Sequence, residues 1–182
     1  DKTITHFAGV GEMMTEVAGE VCDGFICHGF TTEKYLREVT LPALRRGRAK
    51  AGKTMDGFEI VGPSFVVTGN SANEMQQAAA GTRQQIAFYG STPAYSGVLE
   101  IHGWNDLQPQ LNALSKQGKW VEMGDLITDE ILNTFAVVGE PETIAPELTK
   151  RYGDVIQRLS FYAPYSSDQS RWAQVIADIK SV

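Results

Sequence analysis

No stretch of the chain approaches the roughly 18 consecutive apolar residues a membrane-spanning helix needs, so no membrane is expected as a partner. Cysteine is scarce. Cys22 and Cys27 are the only two, no disulfide framework is visible, and a reducing, cytoplasmic setting is expected. Together with the adjacent His28 they match no zinc-ligand spacing, so no metal is expected. A basic excess is also lacking. Lys and Arg number 16 against 22 acidic residues, a net charge of −6, and nucleic acid is not an expected partner. The densest basic cluster, Arg45, Arg46, Arg48 and Lys50, falls near the end of a predicted helix, where cations complement the free carbonyls and the dipole. There is no Gly-x-Ser-x-Gly elbow for a hydrolase and no P-loop lysine. Asp23, Asp125, Asp129 and Glu130 are scattered and form no convincing acid–base pair. The opening DKTITHF has no Met, basic n-region or apolar h-region, so it is not a signal peptide. It reads as the start of a piece of something longer.

What is present suits a single soluble domain over residues 1–182: 42% hydrophobic and 21% charged. Thr3 to Ala8 reads as a short strand. From Gly11 the apolar positions Met13, Met14, Val17, Ala18 and Val21 follow helical spacing. Phe25 to His28 is a second strand after the Asp23-Gly24 turn. A helix opens at Thr31 or Thr32 and runs to about Ala51-Gly52, with Pro42 expected to kink or divide it. Phe58 to Thr68 is a third strand. Ser71 caps a helix to about Tyr89, Gly90 to Gly103 reads as loop, and helices are expected near Leu107–Lys116 and Val121–Phe135. Pro141, flanked by Glu140 and Glu142, opens a helix that ends at Tyr152-Gly153. Val155 to Tyr162 is the fourth strand, and a last helix runs from about Ser170 to Lys180. Alternating strands and helices predict an α/β fold of parallel (β/α) units with a helical insertion at about 90–136. Four readable strands are too few for a closed barrel of eight.

Three features bear on chemistry. Gly9-Val10-Gly11 lies between a strand and a helix N-terminus, where free amides and the dipole suit a phosphate; a plain tight turn explains the same residues. His28 falls at the carboxyl end of a predicted strand, where parallel α/β folds gather functional groups, although a core histidine held by a backbone carbonyl fits equally. His6 and His102 read as structural. The aromatic run Phe88 to Tyr95 has the composition of a lid over an apolar ligand, or of a packed connector. Phe161, Tyr162, Pro164 and Tyr165 are placed to line the same mouth.

The segment FAGVGEMMTEVAGEVCDGF resembles the strand–glycine loop–helix–strand unit of the luciferase-like monooxygenase superfamily. RQQIAFYGSTPAYSGVLEIHGW, LNALSKQGKW, FAVVGEPETIAPELTKRYG and RLSFYAPY are similar to its deazaflavin-dependent branch, which uses coenzyme F420. The resemblance covers nearly the whole chain. It implies about half of a TIM-type (β/α)8 barrel, the carboxyl-terminal half. It also implies that Ala8, Gly9, Val10 and Gly11 hold the cofactor phosphate through backbone amides. From their own positions, at a strand end and in the aromatic run, His28 and Tyr89 are expected to line a pocket for a small-molecule substrate. Glu12 stands where relatives often have Pro and is expected to point away from the phosphate. The implied chemistry is hydride transfer between the deazaflavin and an organic substrate, by an enzyme of which this piece alone is inactive. FMN in a monooxygenase of the same superfamily is the alternative cofactor, and a non-catalytic half-barrel is the alternative of another class. A half-barrel leaves open strand edges and an apolar sheet face, so association with a second copy or with the missing amino-terminal half is expected.

Overall fold

The computed structural model describes residues 3–181. The first unit is β1 (His6–Gly9), α1 (Glu12–Val21) and β2 (Gly24–Cys27). A helical stretch follows: α2 (Glu33–Tyr35), a π-helical turn (Leu36–Thr40) and α3 (Leu41–Lys50). Next come β3 (Glu59–Val67), α4 (Ala72–Gly90) and a 3-10 turn (Pro93–Tyr95). Four short helices lead on: α5 (Ser96–Glu100), α6 (Leu107–Lys116), α7 (Trp120–Asp125) and α8 (Asp129–Phe135). The chain closes with β4 (Ala136–Val138), α9 (Pro141–Tyr152), β5 (Arg158–Tyr162) and α10 (Gln169–Ser181).

All strand pairs are parallel. Val61 pairs with Ile26 of β2 and with Arg158 of β5, so these strands flank β3 on opposite sides. Phe65 pairs with Ala136 of β4 and Tyr162 of β5. β4 therefore shares the β2 side of β3, beyond the end of β2. The main row is β1-β2-β3-β5, with β4 as a short extension at the carboxyl rim.

Two expectations are corrected. Gly90 to Gly103 is not a loop, because Val98 and Leu99 are buried and pull the segment into the 3-10 turn and α5. The predicted helix near Val121–Phe135 is two helices, split at Leu126–Thr128, where the Thr128 side chain caps α8 by accepting from the Ile131 amide. β4 escaped the sequence reading because three residues show no alternation. Pro42 acts as expected and does so by a specific device. With no N–H and a ring that would crowd the carbonyl four residues back, it suits the first turn of α3 but cannot continue α2 without a break. The helix widens just before it, and the Leu41 N–H reaches the Leu36 carbonyl, an i to i+5 bond.

The two sheet faces differ. Phe25, Cys27, Ile60 and Val66 pack outward against Leu41 and Leu44 of α3, Ile144 and Leu148 of α9 and Val175 of α10. On the inner face, Phe65 and Val67 near the carboxyl end meet Phe30, Ile86, Leu99 and Phe135 beneath the α4–α8 excursion. The amino-terminal part of that face is open: Ala8 and Ile26 are exposed, Ile26 at 38%. A polar row crosses it. His6 Nε2 lies 2.7 Å from Glu59 Oε2, and Arg158 Nη2 donates to Glu59 Oε1 at 3.0 Å. Gly24 of β2 lies between His6 and Glu59 in the register. A Cβ there would stand 2.5 Å from the His6 ring, so only glycine lets the imidazole cross β2. His6 is thus structural, as expected, but through a carboxylate rather than a backbone carbonyl. It and Arg158 hold the Glu59 carboxyl below its usual range.

Candidate functional site

The carboxyl ends of the strands gather at the rim covered by α4 to α8. At the end of β1, Ala8 and Gly9 still belong to the strand, and Val10 and Gly11 form the turn into α1. Gly11 is the N-cap, and no side chain caps this helix. The first-turn amides are therefore free of side-chain acceptors, the condition for anion binding. A Cβ built on Gly11 would meet nothing within 4 Å, so the space beside the turn is open. Glu12 turns away: its carboxylate takes the Arg46 guanidinium at 2.5 Å on the side facing α3. Arg46 and Lys50 also hold Glu16, so these cations of the basic cluster are engaged in helix-to-helix pairs. From the other side the Tyr35 hydroxyl donates to the Val10 carbonyl at 3.3 Å and fixes the turn. Nothing in the sequence pattern singled out Tyr35, which lies 25 residues from Val10.

At the end of β2, His28 stands half-buried. The Phe30 N–H donates to His28 Nδ1 at 3.0 Å. A backbone amide can only donate, so the neutral ring carries its proton on Nε2. Burial lowers the pKa of His28, which favours that neutral form. Its ring meets Tyr89 edge-on at 4.7 Å and Tyr95 at 4.9 Å. The hydroxyls of Tyr89 and Tyr162 are 3.0 Å apart, and the Tyr162 hydroxyl, pushed up to about 12 by burial and then by Tyr89, keeps its proton. His28 and Tyr89, predicted as partners in one pocket, are brought together. Tyr162 joins them, as its position at the end of the last strand implied. Phe161, expected beside it, does not: it faces outward and stacks on Trp172 at 5.2 Å. Tyr165 is also turned aside, its hydroxyl donating to the Val66 carbonyl and accepting from the Thr68 amide. Phe88 is exposed and faces Trp120. The expected lid is therefore Tyr89 and Tyr95 alone. His102 has the structural role foreseen: its Nε2 lies 2.9 Å from the Thr32 hydroxyl, which caps α2 by accepting from the Tyr35 amide.

Cys27 lies directly before His28, but burial pushes its thiol up to about 12, so it is a packing residue and not a nucleophile. Among the described residues no group of His, Cys, Asp and Glu could hold a metal ion. Among the same residues no helix is long and apolar enough to cross a membrane. An apolar groove of about 400 Å3 between α9, β5 and α10 lies on the outer side of the sheet, and none of His28, Tyr89 and Tyr162 lines it.

The shifts predict a pH response. His28 and His102 titrate below the usual 6.5 because burial penalises their charged forms. The unfolded chain then binds these protons first, and stability falls as pH drops through that window. Glu59, Glu74, Glu147 and Asp154 are all held below their usual values, so a second loss follows at lower pH. Urea midpoints are expected to decline from pH 7 to pH 5 and again below pH 4.5, the usual glutamate value. A flat profile would contradict the neutral assignment of the two imidazoles.

The model of the luciferase-like monooxygenase family matches residues 3–158. An uncharacterised protein of Mycobacterium tuberculosis (strain ATCC 25618 / H37Rv) is 51% identical over 152 residues, 84% of this chain and 45% of its own. The 5,10-methylenetetrahydromethanopterin reductase of Archaeoglobus fulgidus is 26% identical over 178 residues, 94% of this chain and 51% of its own. Among solved structures, the coenzyme F420 dependent tetrahydromethanopterin reductase of Methanopyrus kandleri matches with a TM-score of 0.67 at 18% identity, over 85% of this chain and 43% of its own. An F420-dependent secondary alcohol dehydrogenase matches with a TM-score of 0.66 at 16% identity, over 98% of this chain and 49% of its own. At those two identities the likeness is one of fold. The chain spans about half the length of the curated relatives it matches.

Proposed function

Because the chain belongs to the luciferase-like monooxygenase family, we propose that it is the carboxyl-terminal half of a (β/α)8 oxidoreductase that moves hydride between coenzyme F420 and an organic substrate. The names of the Archaeoglobus relative and of the two structural neighbours support the reductase and dehydrogenase chemistry and the deazaflavin. The observation that carries the reading is the uncapped N-terminus of α1 with open space beside Gly11 and its one nearby carboxylate turned onto Arg46.

The cofactor, when bound, supplies the hydride chemistry. This chain's part is to hold and orient. The free amides after Gly9, at Val10, Gly11 and the first turn of α1, take the phosphate, with the helix dipole favouring its charge. Tyr35 keeps the Val10 carbonyl turned away from that anion. His28, Tyr89, Tyr95 and Tyr162 line the substrate side and exclude water. The open inner face, with exposed Ile26, and the exposed Met13, Val17 and Val21 of α1 are covered by the other half of the barrel.

The test is a deazaflavin titration followed by fluorescence, with Gly11→Leu as the comparison. The native φ of −68° at Gly11 suits any residue and its surroundings are open, so the variant folds while filling the cradle. Affinity is expected to fall tenfold or more, the equivalent of one phosphate hydrogen bond of about 1.5 kcal/mol or more. Equal affinity for variant and parent would remove the phosphate from this turn.

A further inference from the structure

We infer that the outer groove between α9, β5 and α10 binds a small amphipathic anion, an aliphatic carboxylate whose chain lies along β5 and whose head meets Lys180. This site stands independently of the cofactor proposed for the rim.

Aliphatic side chains build the groove, and nothing in the chain finishes covering them. Ile156, Leu159 and Phe161 are only partly buried, and Ile176 is 42% exposed. Buried Leu148 and Tyr152 complete the apolar wall on the α9 side. The space measures about 400 Å3, within the range of about 300–1,000 Å3 common to small-molecule sites. The five residues of β5 give it a length of about 16 Å, enough for an extended chain of about eight carbons. Phe161 already spends a ring face on Trp172, stacked at 5.2 Å. The remaining walls are aliphatic, so a flexible alkyl chain suits them better than a flat ring system.

The topology gives the groove two unlike ends. Helices that flank a parallel strand run back against it, so α9 and α10 both finish at the amino end of β5. Tyr152, Gln157 and Lys180 lie toward that end, and Leu148, Phe161 and Ile176 toward the other. Lys180 is the one charged residue lining the groove. Among the described residues no carboxylate pairs with it. The carboxylates closest to it in the chain and at the start of β5 are taken: Asp178 accepts from Gln174, and Asp154 holds Arg37. Gln157 uses its Oε1 on the Ile60 amide, which leaves its Nε2 protons to donate. A free ammonium and an amide donor at one end of an apolar trough match a carboxylate head on an alkyl tail. The tail leaves water along β5, while the head keeps a charge partner. A cationic head would meet Lys180 and be repelled. Lys180 also stands in the last turn of α10, where the dipole alone favours a cation, so the decisive comparison is between heads of different charge on the same tail.

The probes are octanoate, 1-octanol and octylamine, titrated into this chain while methyl-resolved NMR spectra follow Ile156, Ile176 and Ile179. Octanoate is expected to shift these methyls saturably and to bind about fivefold tighter than octanol, the size of one exposed ion pair. Octylamine should bind most weakly. Lys180→Gln should erase the advantage of octanoate and leave octanol binding as it was. Ile176→Asn, at an exposed position, should weaken both ligands. Failure of these methyls to shift with octanoate would overturn the inference. So would equal affinity for octanoate and octanol in the parent, or an octanoate advantage that survives Lys180→Gln. Methyl shifts that appear on diluting the protein without ligand would assign the groove to a second copy of the chain and equally overturn it.

Discussion

Gly47→Ala is expected to lower the stability of the chain more than any surface change, by about 3 kcal/mol, or about 6–12 °C in melting temperature. α1 and α3 cross almost backbone to backbone. A Cβ at Gly47 would fall 1.9 Å from the Glu16 carbonyl oxygen and 2.8 Å from the Glu20 amide nitrogen. Its counterpart, Gly19, faces the Leu44 carbonyl at 2.4 Å. Neither obstacle is the flexible end of a side chain, so the helices must part, and parting them loosens Ala18, Leu41 and Leu44 in the outer core. Better helix propensity returns at most about 1 kcal/mol. Gly97→Ala is the control: its added methyl meets only the Tyr35 ring and hydroxyl at ordinary contact distance, so it should be neutral or slightly stabilising. Thermal melts of both variants decide the matter. A Gly47→Ala protein that melts with the parent would mean the helices do not approach this closely.

In sedimentation velocity at micromolar concentration, the chain alone is expected to run heavier than its 19.9 kDa. The edges of β1 and β5 carry unpaired backbone groups on their outer sides, and the inner face exposes Ile26. Met13 and Val21 extend the apolar surface along α1, at 78% and 65% exposure. Without the other half, a second copy is the cover at hand. Ile26→Asp should weaken that association tenfold or more, the equivalent of losing one buried aliphatic side chain and adding a charge. It should leave the melting temperature of the dissociated chain nearly unchanged, because Ile26 packs on neither core cluster. A single sharp monomer boundary for the parent would count against a docking role for this face.

The strands and long helices are legible where residues repeat with a clear period. Met13, Val17 and Val21 are the instructive exception: their spacing predicts α1 correctly, yet they face out, since periodicity reveals a face and not what covers it. β4 and α5 are illegible for a different reason. Three and five residues carry too little pattern; pairing with β3 and packing on α9 decide β4, and packing on α6 decides α5. In the site, His28 and the Gly9–Gly11 turn follow from their places at strand ends. Tyr89 follows from the composition of its run. Its hydroxyl partner, 73 residues away, and the hold of Tyr35 on Val10 depend on the tertiary fold, which no local spacing encodes. The Gly19–Gly47 crossing is invisible for the same reason: each glycine alone reads as a weak point in a helix.

The pairing of β5 with β3 also has a kinetic side. At the start of the sheet, the Thr5–Asp23 contact joins residues 18 apart in the chain, while the Ile60–Gln157 contact at the β3–β5 seam joins residues 97 apart. Closing the longer loop costs about 1.5 kcal/mol more in chain entropy. β1, α1 and β2 can assemble early from local contacts, whereas the last strand must wait until the whole α4–α9 excursion has condensed. During that wait the far side of β3 is an open parallel edge. Misassembly, when it happens, should therefore begin at this late seam, and amide-exchange labelling during refolding should show the β5 amides protected last.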